Sequence, residues 1–512
     1  MVADKTRKHL RSPVGIPVGK RGGREDHSEI PLGSYQREGK GYTTMLRQVL
    51  KRPRYFAAPG QDIPRPDELS HVRRAIFVLA LPVVAEMSLE TVNQIVGMAF
   101  VGHLGAEAVA AIGLSMQPLF LAMGLFRGLS VGTTALVARF IGAQERQEAN
   151  KVLNLSFILA LVMAAGLSLV ALTYGPRLIA LMGGDAQVQA LGGLYLHNYA
   201  IGLAFMLINM VLSSALRGAG DTHTPMYANT LVSVSNIPLT YAMVYGFPFM
   251  GIEAMGVGGA GWARSLSTSL GFIVLMISLL SGRRVLQLGI RQLLRIDWSL
   301  AARTIRIGLP ATLERFLISS GQILYVRQVS ALGTLAYAAH AIAVNAESVS
   351  YMPGFGFATA ATTLVGQNLG AQRPDRAMLS GWESWKMGAV LMGFMGLVFL
   401  TIPHVLLRIY TSDPDIIRMA SMCLRIMALA QIPMAAGFIF PGALHGAGDT
   451  KSVLYVSTLG VWVVRLGLTF LLVQVLQLGL FGAWVAMACD WYFRGSILAK
   501  KFLAGRWREL RI

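Results

Sequence analysis

The chain has 512 residues, of which 54% are hydrophobic and only 14% charged, and its mean hydropathy is +0.54. Soluble globular chains carry roughly 25% charged residues, so the composition excludes an ordinary soluble domain and indicates an integral membrane protein. The apolar runs are continuous and long enough for helices of ~20 residues, which excludes the alternating pattern of a membrane β-barrel. The net charge of +19 would fit a nucleic-acid-binding protein, but the distribution of the basic residues along the chain, described below, is explained by membrane topology.

The first 70 residues contain no apolar run, so we expect no cleavable signal peptide there. They hold 14 Lys/Arg against 8 Asp/Glu. Residues 1–70 are therefore predicted to be a basic, mostly disordered cytoplasmic tail, with contact to anionic lipids as the alternative.

Twelve apolar runs bounded by glycine, proline or charge follow the tail. They are predicted to span the membrane at 75–100, 108–136, 151–174, 188–214, 225–247, 256–280, 303–330, 336–364, 379–405, 416–443, 453–476 and 479–499. This divides the chain into an N lobe at 71–281, a cytoplasmic linker at 282–302, a C lobe at 303–504 and a short basic C-terminus at 505–512.

Basic residues near span ends set the orientation of a membrane protein. With the N-terminus inside, 36 of the 45 Lys/Arg fall in cytoplasmic segments, four in outer loops and five within spans. The four outer residues are Arg177, Arg408, Arg418 and Arg425. Both termini are thus predicted to be cytoplasmic in the cell membrane. The positive charge reflects topology, so no nucleic acid is expected as a partner.

Three motifs recur at one offset of 228 residues. They are Leu81-Pro82-x-x-x-Glu86 and Leu309-Pro310-x-x-x-Glu314; Gly142-Ala143-Gln144 and Gly370-Ala371-Gln372; and Gly218-Ala219-Gly220-Asp221-Thr222 and Gly446-Ala447-Gly448-Asp449-Thr450. Each repeat holds six spans, an even number, so both halves enter the membrane in the same direction. The predicted fold is therefore an all-α polytopic membrane protein, with twelve transmembrane helices in two parallel six-helix repeats around a central cleft that holds the binding site.

These motifs resemble those of the multidrug and toxic compound extrusion (MATE) transporters. The resemblance covers about residues 75–500 and rests on the order and spacing of the Gly-Ala-Gln and Gly-Ala-Gly-Asp-Thr loops together with Phe100-Val101-Gly102-His103-Leu104-Gly105 and Asn236-Ile237-Pro238-Leu239. It implies antiport, in which inward flow of protons or sodium drives export of large, often cationic and amphiphilic compounds.

The chain departs from the pattern of that family at several places. Many prokaryotic members carry an Asp where this chain has Gly97, and a Thr where it has Arg264. Thr240 replaces the last Asn of Asn-Ile-Pro-Leu-Asn, and Ile318 stands where many members have a Glu. The missing carboxylate at Gly97 weakens a sodium site, so we favour protons as the coupling ion.

Ionisable residues within spans are costly and are by default paired or functional. Glu86 and Glu90 lie one helical turn apart and share a face. Two carboxylates in a low-dielectric cleft repel each other, so at least one of them is expected to bind and release a proton. The alternative is an ion pair with Arg264 that ties two helices together.

Three further acids lie inside the C-lobe spans. Glu314 is the repeat mate of Glu86, and its role is either structural or functional. Glu347 has Leu119 as its repeat mate and is either a proton or substrate group or the partner of Arg327. Asp490 is predicted to pair with Arg494, four residues on. The other ionisable residues within spans are Arg127, Arg315 and Arg465.

The predicted coupling and substrate residues are Glu86, Glu90, Asn93, Gln94, Asn236, Thr240, Arg264, Glu314, Gln322 and Glu347. The chain lacks nucleotide-binding, HExxH and CxxC motifs, so neither a nucleotide, a metal nor a cofactor is expected, and the coupling ion is H⁺ or Na⁺. The expected partners are small-molecule substrates and the bilayer, with the protein as a monomer. Two alternatives stay open: an exporter or flippase of a lipid-linked or endogenous metabolite, and, from another class, a membrane-integral transferase.

Overall fold

The computed structural model describes residues 66–247, 251, 253–282, 285–289, 297–510 and 512. Most of the predicted tail and part of the predicted linker lie outside these residues. Twelve long helices account for most of the described chain. The first six are α1 (Pro66–Gly102), α2 (Ala106–Gly142), α3 (Arg146–Leu181), α4 (Ala186–Gly218), α5 (His223–Tyr245) and α6 (Gly256–Leu280).

The second half of the chain repeats this arrangement. Its helices are α7 (Trp298–Ser330), α8 (Thr334–Gly370), α9 (Pro374–Thr401), α10 (Pro414–Ala447), α11 (Thr450–Val475) and α12 (Gly479–Leu503). A short helix, Pro403–Leu407, follows α9, and a 3₁₀ turn, Arg506–Glu509, follows α12. Eight of the twelve long helices (α1–α4, α6 and α9–α11) are both long and apolar enough to span a membrane.

Most helices extend beyond the apolar runs from which they were predicted. α1 begins at Pro66, inside the predicted tail, and α7 begins at Trp298, inside the predicted linker. The Asp297 carboxylate accepts hydrogen bonds from the backbone N–H groups of Ser299 and Leu300 and so fixes the start of α7. A helix of 37 residues, the length of α1, rises about 55 Å, well beyond a ~30 Å hydrocarbon core, so the apolar run is only its central part.

The ninth predicted span, 379–405, is wrong at its end. α9 stops at Thr401, and a new short helix begins at Pro403. Proline lacks the N–H group that would continue the hydrogen-bond ladder, and its ring clashes with the preceding turn.

The backbone confirms the internal repeat. Gln144 and Gln372 are repeat mates, and both adopt the left-handed region, with φ of 67° and 56°. The Gly105 and Gly333 pair, also 228 residues apart, has φ of 112° and 101°. A non-glycine residue rarely adopts positive φ. Because both glutamines do so at matched positions, the two Gly-Ala-Gln turns have the same geometry.

The two lobes pack closely at the end where α1 begins, which we call the closed end. There α2 lies against α7 and α8, with glycines at the crossings: a Cβ atom at Gly142 would overlap the Gln367 carbonyl, and one at Gly308 would overlap Gly128. At the opposite end, the open end, a Cβ added at Gly105 or Gly333 would meet no atom within 4 Å. The glycine crossings that join the two lobes thus lie at the closed end.

Two reciprocal ion pairs join α1 of the N lobe to α9 of the C lobe at the closed end. Arg73 Nε lies 2.8 Å from a Glu383 carboxylate oxygen, and Arg376 Nε lies 2.6 Å from a Glu68 oxygen. The Glu383 side chain is only 2% exposed, and that of Arg376 is 8% exposed. Glu383 also pairs with Lys386 of α9 at 2.9 Å, so separation of the lobes at this end breaks the two pairs between the lobes but leaves Glu383 one counter-charge.

Candidate functional site

The first cluster of charges inside the spans lies in the N lobe and consists of Glu86, Glu90, Arg217 and Arg264, the N-lobe cluster. Arg217 Nη2 lies 2.6 and 2.7 Å from the two Glu86 oxygens. Asn229 Nδ2 donates to the same carboxylate at 2.8 Å. This arrangement joins α1 to α4 and α5, and it gives Glu86 both a counter-charge and a neutral donor.

Glu90 is paired as well. Arg264 Nη2 donates to its carboxylate at 2.9 Å, and the Ser233 hydroxyl donates at 3.2 Å. Gln94 Nε2 lies 3.4 Å from the same carboxylate. The structure thus contains the Glu90–Arg264 ion pair that was the alternative to a proton site, and the coupling role of either carboxylate stays a prediction.

The remaining N-lobe candidates are polar groups around this cluster. Asn93 is 2% exposed, and its Oδ1 has no hydrogen-bond partner within the described chain. Asn236 Nδ2 lies 3.4 Å from the Ser267 hydroxyl, joining α5 to α6. Thr240 is buried one turn further along α5. Their roles in binding stay predictions.

The second cluster lies in the C lobe and consists of Gln322, Arg465, Asp490 and Arg494, the C-lobe cluster. Arg465 Nη2 lies 2.7 Å from Asp490 Oδ2, and the same oxygen lies 2.6 Å from Arg494 Nη2. Arg494 Nε donates to Asp490 Oδ1 at 2.7 Å, which confirms the predicted pair, and Arg465 Nη1 donates to Gln322 at 2.8 Å. One carboxylate therefore serves two arginines.

The backbone of α11 places Arg465 in this cluster. Residues Gly460–Arg465 and Phe470–Val475 are π-helical, with α-helical turns before and between them. π-Helical turns are rare and are frequently found at functional sites. The sequence gives no signal of this distortion, since neither segment contains a proline.

Glu347 lies in α8 of the same lobe and is 4% exposed. Its Oε1 has no hydrogen-bond partner in the described residues, and no ion pair with Arg327 forms there, so that alternative is not supported. The C lobe thus contains one carboxylate held by two arginines and a second whose Oε1 no donor reaches.

A histidine that the sequence analysis did not single out lies two turns before Glu347 on the same helix. The His340 ring packs edge-on against Tyr325 and Trp484, with ring centroids 5.8 and 5.6 Å apart, and its buried Nδ1 has no partner in the described residues. A spacing of seven residues places His340 on the same face as Glu347, and that spacing was the available signal.

Glu314 repeats the contacts of Glu86. His445 Nε2 lies 3.3 Å from its carboxylate, and the Ser457 hydroxyl donates to it at 3.1 Å. His445 and Ser457 are the repeat mates of Arg217 and Asn229. The contact of the first helix of a lobe with the fourth and fifth helices thus recurs in both lobes, while the guanidinium group of Arg217 is replaced by the imidazole ring of His445. The exchange of Arg217 for His445 within an otherwise identical motif was the signal in the sequence.

The described residues form no group of three or more His, Cys, Asp or Glu side chains with metal-binding geometry. The charged groups instead divide between the N-lobe cluster and the C-lobe cluster with Glu347. Because an intramembrane charge needs a counter-ion, the carboxylates of both clusters are paired with arginines.

Comparison with known proteins gives consistent matches. The sequence profile of the MatE family matches residues 82–242 and 310–471, one stretch in each repeat. "Probable multidrug resistance protein NorM" of Thermotoga maritima is 33% identical over 445 residues, which are 86% of this chain and 95% of that protein. "Multidrug resistance protein MdtK" of Yersinia pestis is 26% identical over 401 residues, 78% of this chain and 87% of that protein.

Solved structures match the fold over the same region. An outward-facing MATE family transporter of the MOP superfamily superposes with a TM-score of 0.77 at 22% identity, covering 87% of this chain and all (100%) of the other. The Vibrio cholerae MATE transporter VcmN gives 0.79 at 19% identity, covering 85% of this chain and 97% of the other.

Proposed function

Because this chain belongs to the MatE family of multidrug and toxic compound extrusion transporters, we propose that it is a proton-driven antiporter that exports small, cationic, amphiphilic compounds. The proposal includes alternating access, in which the two lobes open in turn at the closed end and the open end. The names of the relatives, multidrug resistance proteins, support the substrate class.

The observation that carries proton coupling is the environment of Glu347. A buried carboxylate oxygen without a donor is costly in low dielectric, and a bound proton or organic cation removes that cost. Carboxylates already held by arginines at 2.6–2.9 Å, such as Glu86 and Asp490, need no proton for this purpose. We therefore assign the exchanging proton to Glu347.

An aromatic surface beside Glu347 supports a cationic substrate. Tyr351 lies one turn further along α8, and its ring stacks on Phe438 at 5.8 Å. Phe438 in turn lies 4.9 Å from Trp491 and 4.8 Å from Phe355. Ring faces attract cations, so a substrate cation that binds here competes with the proton for the Glu347 carboxylate. This competition couples the two fluxes.

The test is transport in proteoliposomes without sodium, with a pH gradient imposed and a cationic dye as substrate. We expect gradient-driven dye movement in the wild type and its loss in Glu347→Gln. Glu107→Gln, an exposed carboxylate at the start of α2, is the matched control and should keep wild-type rates. Glu90→Gln tests the N-lobe carboxylate in the same assay.

Each part of the proposal has an outcome that contradicts it. If a sodium gradient moves the dye and a pH gradient does not, the coupling ion is wrong. If neither gradient moves any cationic dye, antiport of cations is wrong. Full activity of Glu347→Gln, with none in Glu90→Gln, moves the proton site to the N lobe.

A further inference from the structure

A cavity of about 560 Å³ opens at the open end, between the connection from α9 and the first turns of α10. Its basic lining residues are His404, Arg408, Arg418 and Arg425, and its neutral polar lining residues are Thr411, Ser412 and Ser421. Three arginines therefore line one cavity at this end. Such a concentration is unexpected where basic residues are otherwise nearly absent.

The acids near the cavity do not neutralise all of these arginines. Asp415 pairs with Arg418 at 2.7 Å. The Asp413 carboxylate accepts from two backbone N–H groups at the start of α10. Arg408 and Arg425 form no ion pair or side-chain hydrogen bond in the part of the chain that the structure describes.

The first repeat shows that the fold does not require these arginines. The repeat register holds through this region, since Asp185 and Asp413 both cap the start of the fourth helix of their lobe. The repeat mates of Arg408, Arg418 and Arg425 are, in that order, Ala180, Ala190 and His197. The equivalent helices thus form with at most one titratable group where the C lobe has three guanidinium groups.

The depth of Arg425 in the membrane bears on the kind of anion that would suit it as a counter-ion. It lies eleven residues after Pro414, which is about 16 Å along α10. α10 has 34 residues, about 51 Å, and so exceeds a ~30 Å core by about 10 Å at each end. Arg425 is therefore about 6 Å inside the boundary between headgroups and acyl chains, where an uncompensated guanidinium is costly.

We propose that this cavity binds a phosphate-bearing anion, held between Arg408 and Arg425. The planar guanidinium group matches phosphate oxygens through paired N–H donors, and the hydroxyl groups of Thr411 and Ser421 add neutral donors. The ligand is either the headgroup phosphate of an anionic phospholipid or a free phosphate. The depth of Arg425 favours the lipid. The proposal does not depend on which ion drives transport.

The test compares the wild type with Arg408→Gln/Arg425→Gln in two binding measurements. One counts phosphatidylglycerol that remains bound after extraction from phosphatidylcholine nanodiscs containing phosphatidylglycerol. The other follows the thermal unfolding midpoint against inorganic phosphate. Arg177→Gln, at an arginine of the same end that does not line the cavity, is the matched control. Arg408→Lys/Arg425→Lys keeps the charge and controls for folding.

We expect the double glutamine variant to require at least about tenfold more ligand for half-saturation, because charged hydrogen bonds of this kind each contribute about a factor of ten or more. Arg177→Gln should bind as the wild type. Loss confined to phosphatidylglycerol identifies the lipid as the source, and loss confined to inorganic phosphate identifies the free anion. Equal binding of both probes by the wild type and a folded double glutamine variant overturns the proposal, as does an equal loss in Arg177→Gln.

Discussion

Replacing Glu68 and Glu383 by glutamine removes the carboxylates of both ion pairs that join the lobes at the closed end. Arg73 and Arg376 then lose these counter-charges. If the lobes separate here during transport, as alternating access requires, the two pairs stabilise the shut state of this end. The double variant Glu68→Gln/Glu383→Gln should therefore favour separation.

The magnitude follows from the exposure of the side chains. The Arg73 side chain is 50% exposed, so solvent screening limits the first pair to about 0.5–1 kcal/mol. In the second pair Arg376 is 8% and Glu68 14% exposed, and a hydrogen bond to a charged group is then worth about 1.5–3 kcal/mol. Together they contribute about 2–4 kcal/mol, a shift of roughly 30- to 700-fold in the equilibrium between shut and separated states.

The assay is the distance between spin labels on the two lobes, measured by pulsed electron resonance. Glu145 in the turn after α2 and Lys451 at the start of α11 are exposed labelling positions at the closed end. Cys423 and Cys489 are the native thiols and would be replaced by serine. We expect the population with long distances to grow in the double variant.

The matched control is Lys151→Gln, which removes a pair of similar length, 2.7 Å to Glu148, that lies within α3 alone. It should leave the distances unchanged, because that pair does not join the lobes. The reasoning is refuted if the double variant and the wild type give the same distance distribution at saturating substrate and in its absence.

Three further predictions concern stability in detergent, measured as the thermal unfolding midpoint. Gly142→Leu should lower the midpoint because its side chain would overlap the Gln367 carbonyl in the other lobe; an unchanged midpoint means that the lobes do not pack there. Asp490→Asn should destabilise by about 3–5 kcal/mol, since two buried arginines lose their shared carboxylate; a small effect would show that Glu347 or water compensates. Gln144→Gly should raise the midpoint, with a gain of about 1 kcal/mol in the free energy of unfolding, because φ of residue 144 is 67°; a decrease would show that the glutamine side chain is needed.

The fold could be predicted because its signals can be read from the sequence without knowledge of any contact. Apolar runs mark the spans, and the 228-residue offset marks the repeat before any contact is known. The ends of helices were less predictable, since helices continue past the apolar runs into polar sequence, and only some ends are marked by a proline or a capping side chain. Pro403 and Asp297 are the two clear examples.

The charge partners could not be predicted from spacing. Glu86 and Arg217 are 131 residues apart, and the repeat motif that contains Arg217 gave no reason to place its side chain beside α1. Asp490 shows the contrast: its partner Arg494, one turn away on the same helix, was predicted, whereas its partner Arg465, on α11, was not. Partners within one helix follow from periodicity, and partners between helices follow only from packing.

Proton exchange at Glu347 is the central claim, and substrate-induced proton release tests it most directly. A cationic dye is added to purified protein in weakly buffered, sodium-free detergent solution, and the pH change is converted to protons per bound dye. We predict release by the wild type, about one proton for each dye bound if a single carboxyl group exchanges, and none by Glu347→Gln. Binding without release by the wild type, or equal release by Glu347→Gln, would contradict the account.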